Sequence, residues 1–499
     1  YLELRFDSKL IRLIGSLLFM LSTLLYTGIV LYAPATALRA VSGVRLEVLI
    51  LVSGLACTIY TSVGGLKAVV WTDAFQACVM YVGLLAVLIQ GTIKVGSPAK
   101  VWEIAKEGGR LNINFDPNPF TYTNFWAVVV GTAFGWMALF GTNQTSVQRY
   151  TSLNTLRKAQ FSLLLVLPGM FTLYPLVLMA GTVMYTYYAQ CDPLTLKLVE
   201  NRDQLLPRFT VEILGHIKGL PGIFLACLYS GTLSTVSSNL NSIAAVVWED
   251  VFKQFEWGRR RTELEATRIN KLTGLIVGLL GICLACGAQY LGGVFQAALT
   301  VLSAIGSPLT GLFLFGFLFP WANFWGALAG VLSAAVTMVW ICVGAQIVKP
   351  YRVNLASSII GCSNATLTQA AQAGFNLTAF TSSASAAHSV YDGIELHGIQ
   401  SVYKLSYFLY GLAGVALVFV VGIPVSLLTT RGRASEKKAP LVWSGVRYVF
   451  CCLSKRWRDL WDNPDKADLE MTTKSDLELE INGISNRVYP VPEKDISRF

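Results

Sequence analysis

Apolar runs recur along most of the chain, separated by short stretches that carry Lys, Arg or Gly. About 20 apolar residues in a helix cross the hydrocarbon of a bilayer. Ten stretches fit or approach that length: residues 10–35, 48–63, 74–93, 125–140, 161–187, 222–248, 272–291, 295–319, 325–347 and 405–428. The second and the fourth are short for a span. A backbone in lipid must bond to itself, and long apolar runs do so as helices. The pattern therefore predicts an all-α polytopic membrane protein with about ten transmembrane helices.

One of these runs breaks the rule that makes it a span. Tyr229-Ser-Gly-Thr-Leu-Ser-Thr-Val-Ser-Ser-Asn-Leu-Asn-Ser242 is rich in hydroxyls and amides between two apolar flanks. On a helical wheel Ser230, Ser234, Ser237, Ser238 and Asn241 share one face, and Thr232, Thr235, Asn239 and Ser242 lie opposite. Small polar residues let membrane helices pack closely, which accounts for one or two of them. So many, on two faces, point to a site or a water-lined path, and uncharged oxygens suit an alkali cation.

Composition agrees, at 54% hydrophobic and 14% charged residues over 499, against about 25% charged in soluble domains. Short-loop Lys and Arg set the orientation. Arg259, Arg260 and Arg261 place the loop after residue 248 in the cytoplasm, together with Arg5, Lys67, Arg149 and the basic stretch that follows residue 428. The net charge of +10 is thus mostly topological, and nucleic acid is not an expected partner. The sequons at Asn364 and Asn376 fall outside together and are candidate glycosylation sites. Cys191 and Cys362 also lie outside, where oxidation is possible, and form a candidate disulfide. Residues 1–428 read as a transmembrane domain. Residues 429–499 read as a largely disordered cytoplasmic tail that could bind other proteins.

The span interiors lack the His and carboxylate relays that proton-driven carriers use. His216, His388 and His397 are all in external loops, and the one carboxylate near a span is Asp73. That favours sodium as a coupled ion. The fourth stretch is interrupted by Gly131, Gly135 and Gly141, as in broken helices that meet substrate. Arg149 most simply marks a cytoplasmic boundary. No phosphate loop, zinc-protease or nucleophile-elbow motif occurs, so an enzyme is not expected.

Four segments together resemble the solute:sodium symporter family: Gly64-Gly-Leu-Lys-Ala-Val-Val-Trp-Thr-Asp-Ala-Phe-Gln76, Gly141-Thr-Asn-Gln-Thr-Ser-Val-Gln-Arg-Tyr150, Ser230-Gly-Thr-Leu-Ser-Thr-Val-Ser-Ser238 and Gln296-Ala-Ala-Leu-Thr-Val-Leu302. The resemblance is strongest to the branch that carries monocarboxylates, multivitamins and iodide. It implies a LeuT-type core of two inverted repeats and sodium-driven import of a small anion by alternating access. Sodium is then cargo rather than a fixed cofactor, and the setting is the plasma membrane. It also implies sodium oxygens from Ser234, Thr235, Ser237, Ser238 and Asn241, with coupling roles for Asp73 and Gln76. Gly135, Trp136, Phe140 and Asn143 match the substrate cavity and gate. Relatives carry further spans before the point where this sequence starts, so a chain that lacks them is expected to be a fragment. Lactate-like acids, biotin or pantothenate, and iodide all remain open as substrates. A uniporter or channel and a membrane sensor are the rival classes.

Overall fold

The computed structural model of the chain describes residues 1–291, 293–348, 352–353, 357–372, 391–392 and 398–429. The helices, in chain order, are α1 (Leu2–Phe6), α2 (Lys9–Ser42), α3 (Leu46–Val95), α4 (Pro98–Glu107), α5 (Thr132–Met137), α6 (Gln144–Thr151), α7 (Leu156–Tyr188), α8 (Leu205–Leu214), α9 (Leu220–Val246), α10 (Glu256–Arg259), α11 (Glu263–Gly287), α12 (Val294–Leu318), α13 (Phe324–Val348), α14 (Asn364–Gln372) and α15 (Tyr410–Thr429). The one β pairing among the described residues joins Arg352–Val353 to Tyr391–Asp392. The tail beyond residue 429, with Cys451 and Cys452, which basic neighbours make candidates for palmitoylation, and the sequon at Asn376 lie outside the described residues.

Nine described helical stretches, not ten, are long and apolar enough to cross a membrane. The fourth expected span is the exception. Ala127–Thr142 is a shorter helix in which π-turns at Ala127–Gly131 and Ala138–Thr142 bracket α5. A π-turn frees backbone groups from the regular ladder and is common at functional sites. Gly131 has a second reason for being glycine: a Cβ there would stand 2.2 Å from the Phe408 carbonyl oxygen.

The second and third spans also differ from expectation. They form one unbroken helix of 50 residues, α3, where a loop around Lys67 was expected. A straight helix of that length would extend about 75 Å, well over the hydrocarbon thickness of about 30 Å. Its apolar halves, Leu46–Gly64 and Val69–Val95, are each long enough to cross. Tyr60 in the first half and Asp73 in the second both meet α9 within the turn that holds Leu233 and Ser234.

α2, α9, α11 and α12 share one core, with Leu31, Leu240, Leu312 and Phe315 at its centre. Hydrophobic burial does not drive helix association in lipid, so close packing through small residues does that work. Gly326 of α13 shows it, because a Cβ there would lie 1.9 Å from the Ser426 hydroxyl oxygen of α15. At the end of the bundle that the Lys and Arg pattern assigns to the cytoplasm, the guanidinium of Arg5 is buried. It donates to the carbonyls of Gly316 (2.7 Å), Phe319 (2.6 Å), Ala322 (3.2 Å) and Pro320 (3.2 Å), where α12 ends. On the opposite side Cys191 and Cys362 are joined by a disulfide with Cα atoms 4.8 Å apart. That bond ties the segment after α7 to the one that leads into α14. Arg261 stacks on Trp257 at 4.6 Å, and Thr262 with Glu265 forms a capping box that starts α11. The basic loop is thus a helix start.

Candidate functional site

The polar run of α9 meets different neighbours on its two faces. On one face the Asn239 amide donates to the Thr27 hydroxyl (3.1 Å) and Thr232 donates to the Val30 carbonyl (3.4 Å), so both are spent on α2. This is the packing role that small polar residues play between membrane helices. The other face turns towards α3 and α6. Ser242, expected on the face of Thr232 and Asn239, joins this one instead: Thr145 and Ser242 share a hydrogen bond of 2.9 Å, and Arg149 donates to the Ser238 hydroxyl. Residues 145 and 149 are one turn apart, as are 242 and 238, so α6 runs antiparallel to α9 along this seam.

The same Arg149 Nη2 reaches Asp73 Oδ2 at 2.7 Å. Ser234 stands beside that carboxylate. Three elements far apart in sequence therefore converge on Asp73: α3, α6 and the serine face of α9. Gln76 lies one turn further along α3, on the side of Asp73. Asp73 Oδ1 and Gln76 Oε1 are both buried and have no hydrogen-bond partner among the described residues. Leaving buried oxygens unpaired costs about 1–3 kcal/mol each, more for a charged group. Two such oxygens next to serine hydroxyls fit a hard cation, which takes oxygen ligands.

Some expected ligands turn elsewhere. Ser237 donates to the Ser234 carbonyl (3.1 Å), Thr235 to the Gly231 carbonyl (3.0 Å), and the Asn241 amide to the Ser237 carbonyl (3.1 Å). These bonds use donor hydrogens only, and the hydroxyl oxygens keep acceptor capacity. The Leu233 carbonyl accepts from Tyr60 Oη at 3.1 Å.

In the broken segment Trp136 stacks on Phe140 at 5.7 Å and meets Tyr174 edge-on at 5.7 Å. A Cβ on Gly135 would meet nothing within 4 Å, so that side of the segment is open. Asn143 accepts from the Thr145 backbone N–H (2.9 Å) and caps α6. That capping bond fixes the start of the helix that carries Thr145 and Arg149 to α9.

Arg149 is the residue that sequence reasoning undervalued, as a mere boundary marker. The available signal was Asp73 itself, the one carboxylate near a span and therefore in need of a cationic partner.

The model of the sodium:solute symporter family matches residues 1–333. The sodium-coupled monocarboxylate transporter 1 of Homo sapiens is 40% identical over 86% of this chain and 70% of its own length. The sodium-coupled monocarboxylate transporter 2 of Danio rerio is 39% identical over 94% and 73%, and the sodium-dependent multivitamin transporter of Oryctolagus cuniculus is 38% identical over 92% and 70%. Among solved structures, a Na+-coupled sialic acid symporter in a substrate-bound outward-open state matches with a TM-score of 0.63 at 22% identity, over 86% of this chain and 76% of that one. That likeness supports the LeuT-type fold. The chain is therefore a multi-pass membrane carrier coupled to sodium, not an enzyme, and it belongs to the sodium:solute symporter family.

Proposed function

We propose that this protein imports a small monocarboxylate together with sodium across the plasma membrane. The observation that carries the cation half is the pair of unpartnered buried oxygens, Asp73 Oδ1 and Gln76 Oε1, beside Ser234 and Ser238. Sodium seats there, with Ser237, Thr235 and Asn241 lending oxygens from the same helix. Arg149 shares the Asp73 carboxylate, so arginine and sodium compete for one anion, and their exchange is the coupling step. Sodium entry also draws on the membrane potential, about 2.3 kcal/mol per charge per 100 mV.

The substrate half rests on relatives, of which the monocarboxylate carriers reach 40% identity. Substrate contacts come from Gly135, Trp136, Phe140 and Asn143. The multivitamin transporter at 38% identity supports a second reading, a larger carboxylate such as biotin or pantothenate. Asn364 is exposed at the start of α14 and is the proposed glycan site among the described residues. Tracer uptake of lactate, biotin and iodide in sodium or choline medium tests the reading. Sodium-dependent lactate uptake is expected. Uptake of biotin or iodide alone would replace the substrate, and full uptake in choline would overturn coupling.

A further inference from the structure

The broken segment, Ala127–Thr142, has three side chains that can donate a hydrogen bond: Thr132, Trp136 and Thr142. Two are committed within it, Thr132 to the Val128 carbonyl and Thr142 to the Ala138 carbonyl (3.1 Å). The indole N–H of Trp136 has no hydrogen-bond partner among the described residues. The same holds for the hydroxyl of Tyr174, the α7 ring that meets Trp136 edge-on at 5.7 Å. A second tyrosine nearby shows the alternative. Tyr81 of α3 donates to the Gly169 carbonyl (3.2 Å), and its hydroxyl lies 2.6 Å from that of Thr172. Those bonds hold the turn of α7 that leads to Tyr174. Tyr174 itself is 45% exposed and lies near the middle of α7, not in an interfacial belt where membrane tyrosines collect. A phenol hydroxyl at that depth finds no partner in hydrocarbon.

A carboxylate only accepts hydrogen bonds, and one taken out of water needs donors or a cation. Residues 127–142 contain no Lys or Arg, and α7 has its only two, Arg157 and Lys158, in its first turn. The helical rise sets Lys158 about 24 Å from Tyr174 along the axis. Arg149 is held by Asp73 and Ser238. We propose that Tyr174 is a substrate-binding residue, whose hydroxyl donates together with Trp136 Nε1–H to the carboxylate of the transported anion. Neutral donors take the place of a cation, and they read the group that all monocarboxylates share rather than the tail. The assignment rests on the reading of the substrate as a monocarboxylate.

Sodium-dependent uptake by the full chain, normalised to surface protein, tests it with Tyr174→Phe, which keeps the ring and removes the hydroxyl. KM for lactate is expected to rise about 10- to 100-fold, the range for a hydrogen bond to a charged group. Maximal rate, and half-saturating sodium at saturating lactate, are expected to stay unchanged. Pyruvate and propionate are expected to lose affinity by the same factor as lactate. The hydroxyl bonds no described residue, so a purely structural role for the ring predicts uptake identical to the parent's. Kinetics that superimpose on the parent's would overturn the contact and leave lactate import standing. A rise confined to lactate would place the hydroxyl on its 2-hydroxyl group and overturn the carboxylate assignment. A lower maximal rate with KM unchanged would make Tyr174 a residue of the conformational cycle and overturn its binding role. A parent that takes up iodide but no monocarboxylate would overturn the substrate reading itself, and the contact with it.

Discussion

Replacing Arg149 with Gln separates the two charges that compete for Asp73. The guanidinium occupies Oδ2 at 2.7 Å and leaves Oδ1 buried and without a partner among the described residues. A sodium ion on Oδ1 would stand on the order of 5 Å from the guanidinium, a repulsion of about 3 kcal/mol at an effective dielectric constant near 20. Arg149 is 43% exposed, so solvent and salt reduce this to roughly 1–2 kcal/mol. At 1.4 kcal/mol per factor of ten, half-saturating sodium is expected to fall about 5- to 30-fold in Arg149→Gln. Maximal rate is expected to fall too, because tighter sodium leaves the inner side more slowly. Arg149→Lys keeps the charge and is expected to stay within about 3-fold of the parent. The assay is substrate uptake against sodium at constant ionic strength, normalised to surface protein. Half-saturating sodium that is unchanged or raised in Arg149→Gln would refute the competition and make Arg149 a support for Asp73.

Two further substitutions test the packing that holds the site. Gly131→Ala drives a methyl into the Phe408 backbone, whereas Gly135→Ala meets nothing. The first is expected to cost about 1–3 kcal/mol and the second less than about 1, read as melting temperature in detergent. Arg5→Met leaves the carbonyls of Gly316, Phe319, Ala322 and Pro320 without their donor. With the two shorter bonds dominating, the loss is expected to be about 2–4 kcal/mol, and a melting temperature equal to the parent's would contradict it.

Much of this architecture was legible because lipid is a strict solvent. Nine of the expected spans appear as helical stretches of sufficient length and apolarity, since an apolar run of 20 residues has few alternatives. The merging of two spans in α3 was not legible, because composition marks Lys67 as a loop residue but does not say whether the helical ladder breaks there. The π-turns in Ala127–Thr142 were signalled only by glycines, and Gly131 proved to be a contact with Phe408 rather than a hinge alone. Within the polar run of α9, periodicity separated two faces, and Thr232 and Asn239 do share a neighbour in α2. It could not show that Thr235 and Asn241 donate to their own backbone. Nor could it show that Arg149 bridges Asp73 and Ser238, because that contact joins residues 76 and 89 positions apart.

Asp73 and Gln76 are proposed to hold the transported sodium. Sodium activation of uptake by Asp73→Asn, compared with Gln76→Ala and the parent at saturating substrate, tests it most directly. Half-saturating sodium is expected to rise at least about 10-fold in Asp73→Asn, in line with a charged ligand worth more than about 1.4 kcal/mol, and by less in Gln76→Ala. Activation curves that superimpose on the parent's, with both variants at the cell surface, would contradict it.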